Sequence, residues 1–261
     1  MTYIDTHVHL DAKEFDEDRH GVLARARQSG VAVMICPGIT ADSSDAAVRL
    51  AEIHRAVYAA AGIHPNHSAE AAAGDWDRVV EMMAHPRVVA VGETGLDRHW
   101  DFAPIGVQRE YFDRHLRLAR QHDLPVVIHC REAESDLLPM IREAATRGPL
   151  AGVLHAFSGD WPFAEACLET GLCIGFVGSV TYRNKKFESL REAAAQVPDD
   201  RLLIETDSPY LVPHPLRGRQ KRNEPANIVH TARCLAELRG SSPQELAAQT
   251  TANARRLFRL P

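Results

Sequence analysis

Eight short, β-branched, apolar runs alternate with longer segments of helical period along this chain, and no other feature restricts its folding as severely. The runs are Tyr3 to Asp5, Val31 to Cys36, Val57 to Gly62, Val88 to Gly92, Pro125 to Ile128, Gly152 to Leu154, Leu172 to Val177 and Leu202 to Glu205, each of strand length. Between them apolar residues recur at helical spacing: Ala46, Leu50 and Ile53; Trp76, Val79, Val80 and Met83; Phe112, Leu116 and Ala119; Leu138, Ile141 and Ala145; Leu190, Ala194 and Val197. Ile228, Ala232, Leu235 and Leu238 continue the period, and Pro243 to Phe258 reads as a further helix. Such alternation implies a parallel sheet covered by helices. Eight units in 261 residues fit an α/β fold of the (β/α)8 TIM-barrel type, a single domain over residues 1–261, better than an open doubly wound sheet. A barrel places its chemistry just past the C-terminal ends of its strands.

Composition narrows the function classes. Thirty Lys and Arg against 35 Asp and Glu give a formal charge of −5, which argues against the broad basic face of a protein that coats duplex nucleic acid but leaves room for a local phosphate site. Nowhere do 18 apolar residues run together, so neither a membrane span nor a signal-peptide core is expected, and no membrane or obligate protein partner is evident. Five cysteines, Cys36, Cys130, Cys167, Cys173 and Cys234, form no C-x-x-C pair and suit a reducing compartment, so a cytoplasmic location is expected. Fourteen histidines are many for this length, and several stand at strand ends.

The first run continues as Asp5-Thr6-His7-Val8-His9, and its period of two puts Asp5, His7 and His9 on one face. The fourth leads into Glu93, the fifth into His129, the sixth into His155 and the eighth into Asp207. Four imidazoles and two carboxylates brought to one barrel mouth would be costly to bury uncompensated, and coordination of divalent metal is the economical explanation. Six donors exceed what one tetrahedral ion needs. If Glu93 bridges two ions, His7, His9 and Asp207 complete one sphere while His129 and His155 complete the other. Mg2+, Mn2+ and Zn2+ all suit such a mixed set. A lysine bridge is excluded from that place, because Lys13, Lys185, Lys186 and Lys221 all lie away from the fourth strand's end. Asp207 is either a ligand alone or also the base that takes a proton during attack. Asp5 and Glu205 lie deeper on the inward faces, where a structural hydrogen bond or an ion pair with Arg131 is expected.

Charge gathers after the last two strands, in Tyr182-Arg183-Asn184-Lys185-Lys186 and in Arg217-Gly218-Arg219-Gln220-Lys221-Arg222. Barrels often bind phosphate with these loops, and guanidinium suits bidentate phosphate contact. Arg131, Arg217, Arg219 and Arg222 are therefore candidate phosphate contacts. Tyr182 and Trp100 either pack their loops or stack a base. His64, at the third strand's end, either caps its loop or bonds a phosphate oxygen or leaving group.

Seven segments taken together resemble one family: IDTHVHLD at 4–11, GIHPN at 62–66, GETGLD at 92–97, IHCREAESD at 128–136, LHAFSGD at 154–160, ETDSPYL at 205–211 and RNEP at 222–225. In order and over essentially the whole chain, they are similar to the TatD family of metal-dependent deoxyribonucleases. The resemblance implies a TIM barrel, a divalent-metal centre on His7, His9, Glu93, His129, His155 and Asp207, and hydrolysis of DNA phosphodiesters, often from the 3' ends of single strands. Two positions depart from the family pattern. Asn66 replaces the second histidine of the usual H-P-H, and Arg98 stands where an aromatic residue often follows G-L-D. A metal-hydroxide centre also attacks carbonyls, so a small amide, lactone or ester, or an aminoacyl-tRNA ester, is the alternative substrate class. A metal-bearing scaffold that binds a partner without chemistry is a third reading.

Overall fold

The computed structural model describes residues 1–148 and 150–261. Eight strands, β1 (Tyr3–Asp5), β2 (Val31–Pro37), β3 (Val57–Ala61), β4 (Val88–Asp97), β5 (Val126–Arg131), β6 (Gly152–Leu154), β7 (Cys173–Phe176) and β8 (Leu202–Ile204), form one sheet in sequence order. The described pairings are parallel. Past its regular part β1 also meets β8: His9 N donates to Ser208 O and Asp207 N to His7 O, both at 2.9 Å, around a parallel bridge between Val8 and Ser208. A sheet whose first strand bonds its last has no free edge, which is the (β/α)8 barrel expected from the alternation.

Nine helices are described: α1 (Arg19–Gln28), α2 (Ala41–Ile53), α3 (Asp75–Met82), α4 (Ile105–Gln121), α5 (Glu134–Ala145), α6 (Trp161–Leu168), α7 (Glu188–Gln196), α8 (Ile228–Arg239) and α9 (Pro243–Phe258). The last begins with a complete capping box, in which Ser242 accepts from Glu245 N and the Glu245 carboxylate accepts from Ser242 N. Residues pack into two compact units. One comprises Met1–Ile35, Ala156–Glu165 and Ile174–Pro261, the other Cys36–His155 and Ala166–Cys173.

Three expectations are corrected. In α2 the inward face is Ala41, Ser44, Ala47 and Ala51, and Ile53 is 73% exposed. The helix lies too close for large side chains: a Cβ on Gly38 would stand 2.5 Å from Ser44 Cα, and Ser44 Oγ bonds both the N–H and the carbonyl of Gly62. In α5 the buried face is Leu137, Ile141 and Ala144, which obeys the same helical period one step round from Leu138 and Ala145. The fourth strand does not end at Gly92. After an irregularity between Val91 and Thr94 the ladder resumes, pairing Thr94 with Ile128, Gly95 with His129 and Asp97 with Arg131. Polar and glycine residues hid this extension, because local β propensity is low there.

Gly95 has φ +143°, and a Cβ there would lie 2.0 Å from His129 O. Gly95→Ala is expected to cost about 3 kcal/mol in urea unfolding, through backbone strain plus a clash with main chain. Gly74→Ala, also at positive φ but facing open space, is expected to cost about 1 kcal/mol.

Candidate metal centre

In the first unit β1 and β8 run straight into the functional residues, and alternation along the strand turns His7 and His9 the same way. Their Nε2 atoms lie 3.2 Å apart, and Asp207 Oδ1 is 3.7 Å from His7 Nε2 and 3.5 Å from His9 Nε2. Asp207 has φ +52°, a left-handed conformation that Asp tolerates better than most residues.

Beneath these donors lies a buried polar layer. Asp5 accepts from Thr206 N at 2.9 Å, from the Thr206 hydroxyl at 2.6 Å and from His7 N at 3.3 Å. Burial pushes its carboxyl up to about 8 despite those donors, with the nearby Glu205 charge acting in the same direction. Glu205 accepts from the Thr6 hydroxyl and from Ala156 N. Glycine at 175 makes room for it, since a Cβ there would stand 2.8 Å from a Glu205 oxygen. Of the two alternatives expected for Asp5 and Glu205, the structural hydrogen bond is the one described. Amide and hydroxyl donors satisfy Asp5, and Arg131 is exposed with its guanidinium 5.7 Å from the Trp100 ring.

In the second unit everything converges on Glu93, only 3% exposed. Its Oε1 lies 2.8 Å from His155 Nε2, 3.1 Å from His129 Nδ1 and 3.4 Å from His64 Nε2, while His155 Nε2 and His129 Nδ1 are 3.4 Å apart. The other nitrogen of His129 faces Asp97 Oδ2 at 3.0 Å. Asp97 is held in turn by His99 N, Trp100 N and the Asn66 amide, and its own N–H bonds Gln108. Asn66, at the position of a familial histidine, thus steadies the carboxylate that orients His129.

Protonation follows from these contacts. Burial alone would depress His129, but hydrogen bonds to Asp97 and Glu93 and their charges raise it to about 9. Burial opposes ionisation of Asp97, yet the His129 and Trp100 hydrogen bonds hold it down at about 2. His64 is lowered to about 4 by burial and the neighbouring His129 charge. Its Nδ1 accepts from Asn66 N, which leaves the proton on the nitrogen facing Glu93. A His64 imidazolium ready to protonate a leaving group is therefore disfavoured at neutral pH.

Both donor sets fit a divalent cation. Nitrogen and oxygen ligands about 2.1 Å from a metal stand roughly 3.0–3.4 Å from one another in octahedral or tetrahedral arrangement, and the described separations run from 2.8 to 3.7 Å. Donor atoms of His64, Glu93 and His129 lie within 4.8 Å of one another, but the proton on His64 Nε2 takes that nitrogen out of the ligand set and leaves Glu93, His129 and His155. With Asp97 on the far side, His129 would ligate through Nδ1, the carboxylate–histidine orientation common at metal sites. Sequence reading did not assign Asp97 a role, although residues 93, 95 and 97 share strand parity with Glu93.

The four candidate arginines separate. Arg217 lies 3.9 Å over the Tyr182 ring, Arg219 is exposed without a carboxylate partner among the described residues, and Arg131 sits beside Trp100. Arg222 is committed elsewhere, bonding both Asp18 oxygens at 2.8 and 2.9 Å beside Arg25 and Glu224. Trp100 and Phe102 stack at 5.5 Å and are 45% and 59% exposed. Tyr182, by contrast, is buried and donates to Val212 O, so it packs its loop.

Comparison with known proteins gives one answer. The family model described as "TatD related DNase" matches residues 4–259. The chain is 38% identical to an uncharacterized metal-dependent hydrolase, YabD, of Bacillus subtilis, covering 98% of each chain. It is 39% identical to a protein of Erwinia tasmaniensis named 3'-5' ssDNA/RNA exonuclease TatD, covering 98% of this chain and 99% of that one. The crystal structure of YJJV, a TatD homologue of Escherichia coli, superposes with a TM-score of 0.92 at 32% identity, covering 99% of this chain and 98% of the other.

Because His129 is raised from about 6.5 to about 9, its stabilising contribution to the metal-free protein is complete below pH 6.5. That contribution is lost as pH rises to 9, since the unfolded chain releases its proton first. Urea midpoints of metal-free protein are expected to fall across that window, and His129→Gln is expected to flatten the fall. Divalent-metal affinity should rise over the same interval as the competing proton leaves.

Proposed function

The chain belongs to the TatD related DNase family, and on that premise we propose a divalent-metal-dependent exonuclease that releases nucleotides from the 3' ends of single-stranded DNA. The observation that carries this reading is the crowding of three imidazole nitrogens within 3.4 Å of one Glu93 oxygen. The name of the Erwinia tasmaniensis relative supports the 3'-to-5' direction and the single-stranded substrate.

His7, His9 and Asp207 would hold a divalent ion in the first unit, and Glu93, His129 and His155 would hold one in the second. When bound, such ions polarise a phosphoryl oxygen and bring water near its deprotonation range at neutral pH. The protein supplies the remainder. Asp207 takes the proton of the attacking water at its carboxylate. Asp97 keeps His129 in one tautomer, so its coordinating nitrogen always faces Glu93. His64 donates its Nε2 proton toward Glu93 and limits the charge that Glu93 carries. Arg217 and Arg219 contact backbone phosphate.

Trp100 and Phe102 follow directly on Asp97 and offer an exposed aromatic face with a guanidinium alongside. Base-on-aromatic stacking is insensitive to sequence, as an exonuclease requires.

Metal-stripped protein with 5'-labelled single strands and Mg2+, Mn2+ or Zn2+ restored is expected to release mononucleotides progressively from the 3' end. Glu93→Gln should lower the rate by about a thousandfold. Equal release by Glu93→Gln, or none with any metal, would reject the reading. Trp100→Ala is expected to raise KM for an oligonucleotide about tenfold with little change in kcat, from the loss of one stacking contact.

A further inference from the structure

A cavity of about 860 Å³ lies in the first unit, between the loop after β7, the loop after β8, and α8. Its lining includes five arginines, Arg183, Arg191, Arg217, Arg219 and Arg233, against a single carboxylate, Glu237. Thr181, Val180 and Tyr182 are buried within it, while Arg183, Arg217, Arg219 and Arg233 are exposed.

Elsewhere in this chain guanidinium groups commonly find acids, as in Arg25 with Glu224, Arg78 with Asp45, Arg98 with Asp136 and Arg239 with Asp199. Among the described residues, none of the five cavity arginines has a carboxylate within ion-pair distance, Glu237 included. Two of them are nonetheless held in place. Arg217 stacks 3.9 Å over Tyr182, and Arg191 donates to the Tyr182 carbonyl. Tyr182 is anchored by its hydroxyl on Val212 O at 3.0 Å. A stacked guanidinium keeps its N–H edge free for bidentate contact with phosphate oxygens.

Five like charges gathered in one concavity of a chain whose formal charge is −5 repel one another, and a ligand with several linked anionic groups would relieve that repulsion. The volume is in the range of sites for ligands larger than one phosphate. The chain segment that begins with Asp207 also delivers Arg217 and Arg219, so the loop that bears a metal donor at one end bears the cavity's charge at the other.

We propose that this cavity binds consecutive backbone phosphates of a single-stranded nucleic acid, an extension that rests on the nuclease reading for the identity of the strand. Contact is with phosphate rather than base, so the site is indifferent to sequence and sensitive to length and salt. Arg233, on α8, and Glu237, one turn further on, are its decisive pair of opposite charges.

The test measures fluorescence anisotropy of labelled dT4, dT8 and dT16 on the full chain in EDTA, with inorganic tripolyphosphate and a methylphosphonate dT16 as further probes. Affinity should rise with length and be lost on the uncharged backbone. Arg233→Glu is expected to weaken dT16 about tenfold and to lower the salt slope by about one, while Glu237→Gln tightens it. Metal-restored hydrolysis of bis(p-nitrophenyl) phosphate should be unaltered by Arg233→Glu. Unchanged dT16 affinity and slope in both variants would overturn the proposal. So would an Arg233→Glu effect on tripolyphosphate alone, which would mark a site for small polyphosphates. If wild-type protein cleaves neither substrate yet both variants shift dT16 binding as expected, the cavity stands as a nucleic-acid site and the nuclease reading falls.

Discussion

A carboxylate buried as deeply as Glu93 must be compensated, and the second unit is arranged around meeting that demand. Three imidazoles approach the same oxygen, and one of them, His129, is held from behind by Asp97. Asp97 in turn takes main-chain and amide donors from Asn66, His99 and Trp100. Each layer fixes the rotamer of the one above, so the imidazole nitrogens around Glu93 are oriented by protein contacts alone. Such preorganisation would lower the ordering cost of holding a cation there.

In the first unit the same principle is carried out with hydroxyls. Asp5, pushed toward its neutral form by burial, ties β1 to the chain just after β8 through Thr206, and Ser208 extends the chain of hydroxyls. The backbone bonds that join these strands also carry His7, His9 and Asp207. Stability of the sheet and placement of the donors are therefore one problem, and a change in either disturbs the other.

Charge is distributed with comparable economy. Arg222 and Arg25 are absorbed into ion pairs with Asp18 and Glu224, which hold the Asp18 carboxyl down at about 2. Among the described residues, the arginines between the loops after β7 and β8 have no carboxylate within ion-pair distance, so they constitute a local positive field on an acidic chain. Only the paired or unpaired state of each guanidinium separates structural arginines from those available to a ligand. Spacing along the chain carries no information about it.

Strand and helix alternation, the parity of His7 with His9, and the attachment of Glu93, His129, His155 and Asp207 to the fourth, fifth, sixth and eighth strands or the residues just after them were all determined by the sequence alone, because periodicity is a local property of neighbouring residues. The last helix was equally legible, since the stretch from Pro243 to Phe258 reads as a helix and forms one. Which face of α2 packs inward was not legible, because the close approach of Gly38 excludes the larger side chains that periodicity favours. The role of Asp97 was hidden in a stretch that reads as a loop until β5 pairs with it. Partners such as Asp5 and Thr206, 201 residues apart, and the commitment of Arg222 to Asp18, 204 residues away, were decided only by the tertiary structure. The energy of a hydrogen bond or an ion pair depends on distances of a few ångströms in space, and those are set when the whole sheet has closed.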